Sequence, residues 1–327
     1  MYHVFFNIVP KQFIKLKKLM YFFTIMSRIC IVFAGREDRM QILMHYLNKA
    51  LNEKKLDEIH LWNYSRNDSD TTWVNSLKSD KIKIFTSEDR TKIDYENGGS
   101  SWKVDNFSLV WKEYTKEIYK DSLFVKMDDD IIYVDINKFD EIFDFVKNNN
   151  TLWTTPIIVN NSLTINTTNF MEVIRAGDKL VDVINDHKAA ELMHELFINN
   201  KLTNTIFSPN VVKQYEPNYP RAPKIIADGK LSYGGDRIGS CFGGEYMGYI
   251  QINTLFFNKH LIEYIKELFK TRDHFIDETM FNYPNIRECK YKPYIYPCIM
   301  CSHMSFSAQD EKIDSERILS MYKKIIS

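Results

Sequence analysis

The chain has 327 residues, 43 Lys+Arg against 43 Asp+Glu, 44% hydrophobic and 14% aromatic residues, a balance that supports a large buried core and excludes wholesale disorder. A formal net charge of +0 gives no bulk attraction to polyanions, so nucleic acid is not an expected partner. With 11 Gly and 9 Pro, collagenous and low-complexity chains are excluded as well.

Residues 1–26 read as an appended, partly amphipathic arm. Pro10, Lys11, Lys15, Lys17 and Lys18 interrupt its first apolar run and Arg28 closes the second, so no window reaches the ~20 apolar residues of a spanning helix. A secretory signal is not expected, because the apolar stretch after Lys18 runs into a strand without a small-residue cleavage site. Peripheral membrane contact through the arm is the remaining membrane option. The N-x-S/T sequons at Asn63, Asn106, Asn160 and Asn166 then read as loop chemistry.

From Arg28 the pattern becomes regular. Residues 29–33 form an apolar strand ending in Ala34-Gly35, and residues 38–52 carry helical spacing at Met40, Leu43, Met44 and Leu47. Further strands are expected at 59–62 and 82–85, separated by a polar stretch over 63–72 in which Asp68-Ser69-Asp70 reads as solvated. A turn-rich segment at 97–101 precedes a helix over 106–119, and residues 123–127 form the next buried strand, which runs into Asp128-Asp129-Asp130. Beyond it lie an apolar run at 131–134, a helix near 137–148 and a strand at 153–159. Residues 163–215 read as helical or irregular, 232–248 as glycine-rich, 249–258 as a strand and 260–270 as a helix. Strands alternating with helices predict an α/β fold with a mixed, mostly parallel sheet flanked by helices, in a single large domain.

The five cysteines, Cys30, Cys241, Cys289, Cys298 and Cys301, are odd in number and scattered, which suits a reducing compartment. The expected location is cytoplasmic, the host cytoplasm if the source is viral, since the Asn- and Lys-rich composition fits an AT-rich genome. Cys298-x-x-Cys301 has half the spacing of a zinc site but no partner pair, so free thiols are the plainer reading.

In open α/β sheets ligands sit beyond the carboxyl ends of the strands. Three consecutive carboxylates between two apolar runs repel one another, and a hard divalent cation, Mn²⁺ or Mg²⁺, would offset that repulsion. The structural alternative is a turn or capping cluster. Ala34, Gly35 and Arg36 follow the first strand, where a small residue lets a nucleotide approach the backbone and an arginine can pair with phosphate. Lys103, after Gly98-Gly99-Ser100-Ser101-Trp102, can also reach phosphates. Neither G-x-G-x-x-G after a strand nor a P-loop occurs.

The order of these segments resembles the metal-dependent GT-A glycosyltransferases, which use nucleotide-diphosphate sugars and carry a D-x-D motif after an apolar strand. The resemblance spans roughly residues 28–303: Ile31-Val32-Phe33-Ala34-Gly35-Arg36, Val125-Lys126-Met127-Asp128-Asp129-Asp130, Gly234-Gly235, Gly243-Gly244-Glu245 and Asp277-Glu278. It implies that Asp128 and Asp130 bridge the metal and the ribose side of the donor, that His303 is a third metal ligand, and that Gly243 and Gly244 line the donor-sugar and acceptor loop. It implies the division of the chain into a nucleotide-sugar-binding half at 27–160 and an acceptor-side half at 161–327.

The expected activity is transfer of a sugar from a nucleotide-sugar, with a UDP-sugar as the expected donor, to a glycan, lipid or protein hydroxyl. Loss of the diphosphate builds negative charge that a divalent ion lowers, and an inverting transfer needs a carboxylate to take the acceptor proton. Asp277 or Glu278, at an acidic helix start, suits that role; a retaining transfer would leave the pair to bind hydroxyls, and ordinary helix-terminal charge is the structural alternative. A sugar-phosphate nucleotidyltransferase and a non-catalytic carbohydrate-binding protein of the same fold are the competing readings.

Overall fold

The computed structural model describes residues 26–65, 67–86, 104–161, 187–202, 213–216, 224–226, 252–271, 290–305 and 307–326. Along β1 (Arg28–Ala34) successive side chains enter two different cores, Cys30, Val32 and Ala34 on one face and Ile29 and Ile31 on the other. That period of two, apolar on both faces, is the signature of a strand covered on both sides.

The chain continues through α1 (Glu37–Asn52), β2 (Glu58–Asn63), α2 (Asp68–Ser76), β3 (Ile82–Phe85), α3 (Val104–Tyr114), β4 (Leu123–Asp128), β5 (Ile131–Val134), α4 (Phe139–Asn148) and β6 (Thr151–Val159). Then follow α5 (His187–Ile198), β7 (Lys213–Glu216), β8 (Lys224–Ile226), β9 (Thr254–Phe257), α6 (Lys259–Leu268), β10 (Lys292–His303), α7 (Ser307–Asp310) and α8 (Ser315–Ile326). Among the described residues the strands form one sheet in the order β3-β2-β1-β4-β9-β6-β10-β7-β8, with β5 paired to β10. Strands β3, β2, β1 and β4 are parallel, β9 runs against β4 and β6, and β6 and β10 are parallel again. The fold is thus α/β, a mixed and mostly parallel sheet in a single domain.

Helices cover both faces. One core takes Met40, Leu43 and Leu47 of α1, Ile142, Phe143 and Val146 of α4, and Ile318 and Tyr322 of α8. The other takes Val110, Trp111 and Tyr114 of α3 and Leu261 and Ile265 of α6, packed on Phe124 and Phe257. Burying one such aliphatic or aromatic side chain contributes roughly 1.5–3 kcal/mol, so these two layers supply the main drive for the architecture. Because β1 lies between β2 and β4, the connections on its two sides leave in opposite directions. In open α/β sheets the ligand crevice lies at such a switch point, here the carboxyl ends of β1 and β4.

Two local features differ from the sequence expectation, and a third is an irregular strand. The polar stretch after β2 contains α2, started by the Asn67 side chain accepting from the Asp70 amide at 2.8 Å; of its side chains only Val74 is buried, which left no apolar stripe to read. The helix expected over 106–119 ends at Tyr114 and resumes as one 3₁₀ turn, Glu117–Tyr119. The long strand β10 carries Pro293 and Pro297, which argue against a central strand, and its pairing with β6 shifts register between Lys292 and Tyr294 and between Tyr296 and Met300, so each proline falls at an irregularity.

Candidate active site

Parallel pairing sets Phe33 opposite Asp128, so the ends of β1 and β4 stand side by side and Ala34, Gly35 and Arg36 face the acidic trio. Asp129 and Asp130 make the turn from β4 into β5, and β5 pairs with the end of β10, where His303 lies opposite Ile131. The Met304 amide donates to the Asp130 carbonyl at 2.8 Å, which fastens the β10 exit to that turn. Ala34, Gly35, Arg36, Asp128, Asp130 and His303, distant in sequence, are thereby gathered at one end of the sheet. Lys103, Gly243, Gly244, Asp277 and Glu278 lie outside the described residues.

Arg36 spans the site. Its Nε donates to Asp129 Oδ2 at 3.0 Å, its Nη2 reaches Asp129 Oδ1 in a short contact, and the same Nη2 donates to Asp130 Oδ2 at 2.9 Å. This is the two-pronged guanidinium–carboxylate geometry, with Asp130 as a third acceptor. Burial opposes the charge on Arg36, but Asp129, Asp130 and Asp310 outweigh it and raise its pKa further. Arg39, buried on the first turn of α1, sends Nη2 to Asp310 Oδ1 at 3.0 Å and holds Nη1 3.8 Å from Asp130 Oδ2. Gly35 is needed for close approach: a Cβ there would stand 2.8 Å from Asp129 Oδ2 and 3.2 Å from the Tyr64 carbonyl.

Asp128 is held separately. Lys126, two residues earlier and only 1% exposed, donates to Asp128 Oδ1 at 2.6 Å and to the Ile252 carbonyl at 2.9 Å, with Nζ 4.8 Å from the centre of the Phe33 ring. Asn253 Nδ2 donates to Asp128 Oδ2 at 2.9 Å. Both Asp128 oxygens are therefore oriented by donors from β4 and from the segment before β9.

Asp130 and His303 form the buried pair, 7% and 3% exposed, with Nε2 3.2 Å from Oδ2. Burial would raise the Asp130 pKa, yet His303, Arg36 and Arg39 together hold it far below the usual carboxylate range. Burial likewise works against the His303 imidazolium, and Asp130 more than reverses it, so the His303 pKa is raised. Nδ1 of His303 faces the Asn160 carbonyl at 3.4 Å. A carbonyl only accepts, so Nδ1 keeps its proton and Nε2 is presented beside Asp130. Asn160, with φ of 57° in the left-handed region that asparagine tolerates, ties this corner together by donating to the Met304 carbonyl and to Gln309 Oε1, each at 3.0 Å.

The acidic trio suggests an external counter-ion, and the structure supplies internal ones. Among the described residues Asp128, Asp129, Asp130 and Asp310 meet Lys126, Arg36 and Arg39. Among the described residues Asp130 Oδ1 is a buried carboxylate oxygen with no hydrogen-bond donor. No group of three His, Cys, Asp or Glu side chains gathers to hold an ion among the described residues. The residues present nevertheless fit a hard cation of the Mg²⁺ or Mn²⁺ kind, which takes one or two protein donors and completes its shell with water and phosphate oxygens. Asp130 Oδ1 would be one such donor, and His303 Nε2, which faces Asp130 Oδ2, would be a second once it gives up its proton.

The sequence alone did not assign Lys126, Arg39, Asn160 or Asn253 to the site, and it gave Asp129 no role apart from its two neighbours. Lys126 had a signal, a charge inside an otherwise apolar strand. Asn160 and Asn253 had none, because their roles arise only when β6, β9 and β10 converge.

No protein-family model and no curated protein matches the chain. Among solved structures, GalNAc-T7 with UDP, GalNAc and Mn²⁺ aligns at 14% identity and a TM-score of 0.45 over 85% of this chain; the chain spans 43% of that protein. The inositol-1-phosphate CTP transferase from T. maritima aligns at 10% identity and a TM-score of 0.41, over 92% of this chain and 98% of that one. The 4-diphosphocytidyl-2C-methyl-D-erythritol synthase from Anaerococcus prevotii aligns at 11% and 0.39, over 92% and 97%. No helix among the described residues is long and apolar enough to cross a membrane.

Proposed function

We propose that the chain is a GT-A-type glycosyltransferase that moves a sugar from a nucleoside-diphosphate sugar, a UDP-sugar, to a hydroxyl on a glycan, lipid or protein. The observation that carries this reading is Asp130: a buried carboxylate at the carboxyl end of β4, beside the β1 crevice, with one oxygen lacking a donor and the His303 imidazole next to it. Such an oxygen, desolvated and unpaired, costs free energy that a bound cation recovers.

In this reading Asp130 and His303 hold Mn²⁺ or Mg²⁺, and the ion supplies positive charge to the departing diphosphate. Asp128, aimed by Lys126 and Asn253, accepts from the donor's ribose. Ala34 and Gly35 leave room for the nucleotide at the end of β1, and Arg36 and Lys103 serve its phosphates. Gly243 and Gly244 admit sugar and acceptor. Asp277 or Glu278 takes the proton from the acceptor hydroxyl if configuration inverts.

A second reading, a sugar-phosphate nucleotidyltransferase, is favoured by one observation: two arginines, Arg36 and Arg39, stand directly after β1, where a triphosphate would be gripped. One experiment separates the two. The protein is incubated with Mn²⁺ and either UDP-sugars or nucleoside triphosphates plus sugar 1-phosphates. Release of UDP supports the transferase, release of pyrophosphate supports the nucleotidyltransferase, and neither product with any donor leaves the carbohydrate-binding alternative.

A further inference from the structure

The middle residue of the acidic trio and the arginine after β1 form a unit that acts on Asp130. Asp129 grips Arg36 through both its oxygens, and the gripped guanidinium places Nη2 2.9 Å from Asp130 Oδ2. Asp310 adds a weaker restraint on the far side of Arg36, Nη1 to Oδ2 at 3.7 Å. Asp129 and Asp130 are 8% and 7% exposed, so little solvent screening separates these charges. Asp130 Oδ2 therefore meets Arg36 at 2.9 Å, His303 at 3.2 Å and Arg39 at 3.8 Å, with Arg36 the nearest, while Oδ1 has no donor among the described residues.

We propose that Arg36, held by Asp129, is the internal competitor of the divalent cation at Asp130. A bound ion would take the share of the Asp130 carboxylate that Arg36 now holds, leaving Arg36 to Asp129, which already accepts from it through both oxygens. The ion-free site is thus kept neutralised by the chain itself. Asp129 is a positioning residue: it acts through Arg36. This inference rests on the metal-binding part of the function proposed above.

The test is direct Mn²⁺ binding to metal-stripped full-length protein, read as free Mn²⁺ by electron paramagnetic resonance, without donor or acceptor. Arg36→Gln should bind Mn²⁺ about tenfold more tightly than the parent, and the gain should survive a rise from about 0.15 M to about 0.5 M salt, because a contact competitor is screened less than a distant field. Asp129→Asn, which frees Arg36 to pair with Asp130 alone, should weaken binding, and that weakening should shrink in the Arg36→Gln background. If Arg36→Gln does not fold, Arg36→Lys, which keeps the charge and loses the fork, should give a gain of about threefold. Tight binding by the parent with no gain in either Arg36 variant overturns the competition while leaving the metal site standing. Absence of Mn²⁺ binding in the parent and in every variant overturns the metal reading, and the competition with it.

Discussion

His303 and Asp130 face each other at 3.2 Å, imidazole Nε2 to carboxylate Oδ2, although one leaves β10 and the other leaves β4. The contact needs both strand ends in place, because the Met304 amide is bound to the Asp130 carbonyl and the Asn160 carbonyl faces His303 Nδ1. Asp130→Asn removes the charge and keeps the shape. Arg36 retains Asp129 and Asp310 and Arg39 retains Asp310, but His303 loses its counter-charge, so the variant should still unfold cooperatively, at a lower midpoint than the parent. Mn²⁺ binding should be lost and any nucleotide-sugar turnover should fall at least about 10²-fold. Full activity in this variant would remove Asp130 from the chemistry.

Behind that pair, His194 is fully buried, with Nδ1 2.9 Å from the Tyr322 hydroxyl and Nε2 2.9 Å from the Met304 carbonyl. Burial lowers its pKa to about 4. The unfolded chain, with a histidine pKa near 6.5, therefore binds more protons between these values, and stability is lost as pH falls through that window. The share of the unfolding free energy that His194 contributes, about 2 kcal/mol, should disappear between pH 7 and pH 5, against an opposite trend from His303. Urea titrations of the parent and of His194→Gln at the two pH values check this, since the variant should lose that share of the pH dependence.

Lys126→Met keeps the length of the side chain and removes the charge. Asp128 then loses its 2.6 Å donor, and the Ile252 carbonyl loses one as well. Leaving these acceptors short should cost about 1–3 kcal/mol. Chemical denaturation measures the loss. Binding of UDP should weaken too, because Asp128 is then held by Asn253 alone; calorimetry with UDP and Mn²⁺ reads that part.

Gly35→Ala should disturb the Arg36 fork without touching a charge. The new methyl meets Asp129 Oδ2 and the Tyr64 carbonyl, and the carboxylate is already fixed by Arg36. A cost of about 1–3 kcal/mol is expected from the forced shift. Unchanged stability together with unchanged Mn²⁺ affinity would mean that the β1 exit relaxes freely.

Much of the parallel half of the fold was legible because its signals are local. Apolar runs at β1, β2, β3 and β4, each ending in small or polar residues, and the stripe of Met40, Leu43 and Leu47 on α1 fix element type without knowledge of the rest. Asp128, Asp129 and Asp130 stood out for the same reason. What stayed hidden depends on distant pairing. The pairing of β10 with β6, β5 and β7 is not written in its own residues, and the charges from Arg36 and Arg39 that answer the acidic trio come from a segment whose sequence neighbours give no hint of the partner. Strand β9 was legible as a strand within 249–258, but its four buried residues say nothing of the partners it takes, β4 and β6.

That strand has a consequence for how the molecule is made. β9 is the only described strand paired with β4 on the side away from β1, and it arrives more than a hundred residues later in the chain. During synthesis the β4 edge, with Phe124, Val125 and Met127 in it, must wait uncovered until residues 254–257 emerge. Folding of the whole sheet is accordingly governed by a long loop closure, and a nascent chain stalled before β9 presents an open, apolar strand edge, the form that chaperones bind and that aggregates first.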